Sequence, residues 1–160
     1  MNAIKHPFTH RRWIGQDDAV KWLSELGEFY FLITITLKDS ISGNFEQIKE
    51  QADKTLKTFL AVINRKYFKN RFKRGEAMLP CAAVFHGRFN PANPHLHLAL
   101  GMPPNVSKEI FVKTLKNQIR KMHIFDIIFE VKDYTSAGAV DYIIKEGQDS
   151  ILLDRCSKGV

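Results

Sequence analysis

Residues 81–102 read CAAVFHGRFNPANPHLHLALGM, and their pattern decides the architecture. Two apolar runs flank FNPANP, whose two prolines and two asparagines punctuate a turn. Strands at about 79–88 and 94–102 are therefore expected to pair as an antiparallel hairpin. Side chains alternate along a strand, so Leu96, Leu98 and Leu100 share one face and His95, His97, Ala99 and Gly101 the other. On the preceding strand His86 shares its face with Ala82, Val84 and Arg88. A register that sets His86 opposite either His95 or His97 gathers three imidazoles on one side of the sheet.

Upstream, FYFLITITLKD at 29–39 is β-branched and aromatic, with apolar residues at every odd position from Phe29 to Leu37, the pattern of a buried strand. From Phe45 to about Tyr67, Phe45, Ile48, Ala52, Leu56, Phe59, Leu60 and Ile63 recur at helical intervals. Before them, DDAVKWLSELG at 17–27 has carboxylates at one end and glycine at the other, the signature of a short leading helix. Downstream, Ser107 caps an expected helix to about Met122, with Val112, Leu115, Ile119 and Met122 as its apolar stripe. IFDIIFEVKD is expected to be a fourth strand, and TSAGAVDYIIKEG a short helix capped by Thr135 or Ser136 and ended by Gly147. The order is a helix followed by βαββαβα. The expected fold class is α+β: an antiparallel sheet with helices mainly on one face, of the ferredoxin-like or RNA-recognition kind, its other face open to a ligand.

The 160 residues suit one domain, divided as an N-terminal helical extension (1–27), a core (29–147) and a tail (148–160). Hydrophobic residues at 44% and charged residues at 26% are ordinary globular proportions, without repeats or low-complexity tracts. A net charge of +7 attracts polyanions at long range, which makes nucleic acid the first partner to consider, although the same charge serves solubility. Cys81 and Cys156 lack CxxC spacing, no apolar run approaches the roughly 20 residues that cross a bilayer, and MNAIKHPFTHRRW has no apolar signal core. A reduced, cytoplasmic protein with no membrane partner is expected.

Three imidazoles on a sheet face form a divalent-metal site with positions left for water or substrate. Paired histidines on a strand also occur simply solvated or hydrogen-bonded, and the third is what favours ligation. In VDYIIKEG, Tyr142 and Lys145 lie three apart and project from the same side of a helix, while Val140, Ile143 and Ile144 face the core. A phenol becomes a nucleophile only beside a cation, a base or a polarised electrophile, and Lys145 and a metal supply two of these. A tyrosine on an amphipathic helix also serves as a packing residue.

Taken together these stretches resemble the HUH endonucleases, in particular the rolling-circle replication initiators of small circular single-stranded DNA viruses and plasmids. FYFLITITLKD resembles their first motif, PHLHLAL the histidine–hydrophobe–histidine motif, and DYIIKEG the tyrosine–two residues–lysine motif. The likeness spans about Phe29 to Gly147 and rests on the order and spacing of the three motifs. It implies His86, His95 and His97 as ligands of manganese or magnesium. Many viral relatives carry glutamate where His86 stands, and the softer, uncharged set favours manganese. It further implies Tyr142 as the nucleophile that forms a 5′-phosphotyrosine on single-stranded DNA of an origin or hairpin, initiating rolling-circle replication, with Lys145 orienting the tyrosine or neutralising charge.

Binding of such a strand combines cationic tracking with base stacking. INRKYFKNRFKRGE at 63–76 interleaves Arg65, Lys66, Lys69, Arg71, Lys73 and Arg74 with Tyr67, Phe68 and Phe72, which suits DNA binding and equally suits a solvated basic helix end. Arg88 lies beside the histidines, and Lys5, Arg11 and Arg12 near the start are further candidates. The chain has no Walker A pattern, so a helicase, like host replication proteins, would be a separate partner or region. The rival readings are a single-tyrosine transposase, a metal-water hydrolase, and a non-catalytic single-strand-binding module, which calls for exposed aromatics on the central strands.

Overall fold

The computed structural model describes residues 16–88, 93–135 and 138–159. Strands Phe31–Leu37 (β1), Cys81–His86 (β2), His95–Leu100 (β3) and Phe125–Asp133 (β4) form one antiparallel sheet in the spatial order β2-β3-β1-β4. Helices are Gln16–Ser24 (α1), Phe45–Phe68 (α2), the single turn Asn70–Lys73 (α3), Lys108–Lys121 (α4) and Gly138–Ile143 (α5). Two split βαβ units interlock: β3 lies between β1 and β2, and β1 between β3 and β4. The α+β class and the element order expected from the sequence are found; the strands, α2 and α4 move by one or two residues at their ends, while α1 stops three residues short at its C-terminal end and α5 three or four short at each end.

The odd positions of β1 and the even positions of β3 build the main core. Phe31, Ile33, Ile35, Leu37, Leu96, Leu98 and Leu100 pack with Leu56, Phe59 and Ile63 of α2 and Phe111, Leu115 and Ile119 of α4. Asn44 starts α2 with a reciprocal capping box: its side chain accepts from the Gln47 N–H, and the Gln47 side chain accepts from the Asn44 N–H, both at 2.9 Å. Buried Asn64 ties α2 to the sheet, donating to the Leu60 carbonyl and accepting from the Leu79 N–H at 2.8 Å.

The second face departs from expectation. It is not open beneath the histidines: α1 and α5 pack there, with Leu23, Leu26, Val140, Ile143 and Ile144 against Ala82, Val84 and Ala99. The short apolar stripes of these helices must be buried against something, and the small side chains of β2 and β3 leave the room. The segment read as a tail is likewise structural. Cys81 and Ser157 exchange two main-chain hydrogen bonds at 2.8 and 2.9 Å, and the Leu152 N–H donates to the Ala83 carbonyl. Polar backbone on the β2 edge thereby finds partners, and Ile151, Leu152 and Cys156 are buried. The two thiols sit in separate core clusters, and burial pushes that of Cys156 up to about 12.

Candidate metal centre

His86 pairs with His95 across the β2–β3 ladder, and Thr34 of β1 and Val84 of β2 flank His97 on either side. Alternation then turns the three imidazoles to the same face, with ring centroids 4.7 Å apart for His86–His97 and His95–His97 and 5.3 Å for His86–His95. Gly87, at φ 146°, lets the chain leave β2 close against Pro94, where a β-carbon would approach within 3.2 Å. His86 is fully buried, His97 is 3% exposed and His95 is half-buried.

Each ring is anchored through one nitrogen. His86 donates its Nε2–H to the Ile143 carbonyl, His95 donates its Nδ1–H to the Asn93 carbonyl at 2.8 Å, and His97 Nδ1 shares a hydrogen bond of 3.0 Å with Thr34 Oγ1. The first two tautomers are fixed, because a carbonyl only accepts. The opposite nitrogens remain: His86 Nδ1 and His97 Nε2 are buried without a hydrogen-bond partner among the described residues. Unpaired buried polar atoms are costly, and two beside a third imidazole call for a shared electrophile. One ligand nitrogen from each ring lies within 4.8 Å of the others, a grouping found once among the described residues. Anchoring of the outer nitrogen to a carbonyl or hydroxyl is the support that metal-bound histidines require.

Burial holds the His97 imidazole down at about 3, helped by the positive fields of His86, His95 and Lys145 when these are charged. Burial also lowers His86, against the Ile143 carbonyl and Glu146, which raise it. Both rings are therefore neutral near pH 7, the form that binds a cation. The residues fit a divalent first-row ion held by nitrogen ligands.

Tyr142 stands next to this cluster, its ring centroid 5.8 Å from that of His97, and its side chain is 53% exposed. Val140, Ile143 and Ile144 hold the other side of α5 and its final turn in the core. Lys145 Nζ lies 4.7 Å from the Tyr142 ring centroid. Glu146 fixes the end of the helix to the hairpin, its Oε2 accepting from the N–H groups of Gly87 at 3.1 Å and Arg88 at 3.3 Å.

The expected DNA-binding residues divide. Arg88 lies at the histidine end, stacked 5.2 Å above the Phe45 ring and 3.5 Å from Glu46. Arg65, Lys66, Lys69, Arg71, Lys73 and Arg74 do not join the site. They sit at the far end of α2, whose 24 residues span about 36 Å, and Phe68 and Arg71 border Met102 and Tyr30 at the opposite end of the sheet. Lys5, Arg11 and Arg12 lie outside the described residues. Thr34 and Glu146 were not anticipated. Thr34 shares the alternation of β1 with the site face and was detectable once β1 and β3 were paired, whereas Glu146 depends on a loop contact with no local signature.

No protein-family model, no curated protein and no solved structure matches the chain.

Proposed function

We propose that this protein is a metal-dependent single-stranded DNA endonuclease and strand transferase of the HUH kind, working through Tyr142 as in the initiation of rolling-circle replication. One observation carries the reading: three anchored imidazoles bring one ligand nitrogen each within 4.8 Å of the others, beside an exposed tyrosine. A divalent ion on His86 Nδ1, His95 Nε2 and His97 Nε2 would supply Lewis-acid charge stabilisation at a non-bridging oxygen of the scissile phosphate.

The chain's own residues do the rest. The Tyr142 oxygen bonds to phosphorus in line, its proton passes to solvent, the P–O3′ bond breaks, and the departing 3′ oxygen takes a proton from water. The product is a 5′-phosphotyrosine and a free 3′-OH. Attack by a 3′-OH reverses the step and rejoins strands, because a phosphodiester has only been exchanged for another phosphodiester. Lys145 balances negative charge as it develops on the phenolic oxygen and phosphate, and Glu146 and the Ile143 carbonyl keep the tyrosine helix in position.

Incubation with single-stranded oligonucleotides and Mn²⁺, followed by denaturing electrophoresis, tests this. The expected result is a covalent protein–DNA band that EDTA prevents and Tyr142→Phe abolishes. Cleavage that survives in Tyr142→Phe assigns the chemistry to metal-bound water, and DNA binding with no cleavage under any divalent metal assigns a non-catalytic module.

A further inference from the structure

At the end of the sheet remote from the histidines lies a cleft of about 520 Å³, between the C-terminal end of α2 and the segments flanking β1 and β3. Tyr30 and Phe68 contribute aromatic rings, Met102 an apolar wall, Arg71 a guanidinium, and Glu28 and Asn105 hydrogen-bonding groups. Tyr30 is 42% exposed. Around it the helix end is densely cationic. Arg74 is paired with Glu76 at 2.6 Å, which leaves Arg65, Lys66, Lys69, Arg71 and Lys73 without an ion-pair partner among the described residues.

An exposed tyrosine beside unpaired cations suits a flat π-system carrying phosphates, and a carboxylate and an amide nearby suit the polar edge of a base. An apolar peptide would gain nothing from the five cations. We propose that this cleft holds an unpaired nucleobase of a DNA strand, stacked on Tyr30, with Arg71 on the adjoining phosphate and the other cations following the backbone. For the identity of the strand the inference rests on the nickase reading: the base belongs to the DNA whose scissile phosphate lies at Tyr142. A strand rises about 3.4 Å per residue, so Met102 is about 24 Å from His95, roughly seven B-form steps. DNA engaged at both ends therefore extends well beyond the cut.

The test uses the full chain carrying Tyr142→Phe, in EDTA, with a mixed-sequence single strand about 20 nucleotides long, a length within reach of single-strand-binding footprints. Fluorescence anisotropy should show Tyr30→Ala weakening binding about tenfold and Tyr30→Phe, which keeps the ring, leaving it unchanged. Arg71→Ala should reduce the slope of log affinity against log salt by about 0.7, the value for one phosphate contact on a single strand. Unchanged affinity in Tyr30→Ala, or equal losses in Tyr30→Ala and Tyr30→Phe, overturns the proposal. Should Tyr30→Ala fail to fold, photocrosslinking of iodouracil-containing DNA to the unaltered chain decides: crosslinks at Tyr30 or Phe68 support the cleft, and crosslinks elsewhere alone overturn it. Neither a metal nor the Tyr142 phenol takes part in these measurements. Absence of a covalent adduct therefore counts against the nickase and not against the cleft, and loss of cleft binding leaves adduct formation by short oligonucleotides free to judge the nickase.

Discussion

His86 donates its Nε2–H to the main-chain carbonyl of Ile143, the residue that follows Tyr142. One imidazole thus performs two tasks. Its ring lies against those of His95 and His97, and its Nε2 holds the helix that carries the exposed tyrosine. Together with Glu146, which accepts from the Gly87 and Arg88 N–H groups, it sets the spacing between the histidine cluster and Tyr142.

Metal binding should appear as stabilisation. A ligand at about 100 times its Kd stabilises a folded protein by about 2.7 kcal/mol, which for a chain of this length raises the melting temperature by roughly 5–10 °C. Mn²⁺ is expected to do so for the unaltered protein, and His97→Ala to remove the increment. Scanning fluorimetry with and without Mn²⁺ measures it, and an equal increment in both proteins would show that the ion binds elsewhere.

Acid should destabilise the metal-free protein through His97. Its imidazole is held at about 3 in the folded chain, by burial first and by neighbouring positive charge second, against 6.5 when unperturbed. At pH 8 neither state binds the proton, so this group has no effect. As pH falls below 6.5 the unfolded chain takes up a proton that the folded chain refuses, and stability drops until about pH 3. By pH 5 the loss from this one group is about 2 kcal/mol. Urea unfolding at pH 8 and pH 5 should show a smaller drop in His97→Gln, and an undiminished drop would remove His97 as its source.

Glu146→Ala should separate positioning from ligation. Without the two hydrogen bonds to Gly87 and Arg88 the tyrosine helix is less firmly placed, while no ligand nitrogen is lost. Single-turnover adduct formation is expected to slow by about tenfold to a hundredfold, the scale on which small misplacements act. Calorimetric Mn²⁺ affinity should be unchanged, and a parallel loss of affinity would make Glu146 part of the ion site.

Asn64→Ala should cost stability alone. It leaves the buried Leu79 N–H without its acceptor and removes a donor from the Leu60 carbonyl, a loss of about 1–3 kcal/mol. Chemical denaturation measures it, and Mn²⁺ binding is expected to be retained.

Much of this was legible in the sequence because alternation is strict. Leu96, Leu98 and Leu100 could only face α2 and α4 if His95 and His97 faced away, whereas the choice between His95 and His97 as the partner of His86 needed the strand register, which pairs His86 with His95. The exposed side of α5 followed from Val140, Ile143 and Ile144 in the same way. What escaped depends on long-range packing. The cover of α1 and α5 over the second face and the addition of Ile151–Ser157 to the β2 edge join segments far apart in the chain. The basic run at 63–76 had the composition of a DNA contact, yet composition does not say at which end of the sheet a helix of 24 residues delivers its last turn.

Peptide mapping of the covalent product probes the chemistry most directly. After reaction of the unaltered protein with a single-stranded oligonucleotide and Mn²⁺, nuclease trimming, proteolysis and mass spectrometry should find a nucleotide on the Tyr142 phenol, and none when EDTA is present. A nucleotide on any other residue, or strand scission with no nucleotide attached to the protein, would contradict the assignment of Tyr142 as the nucleophile beside the three histidines.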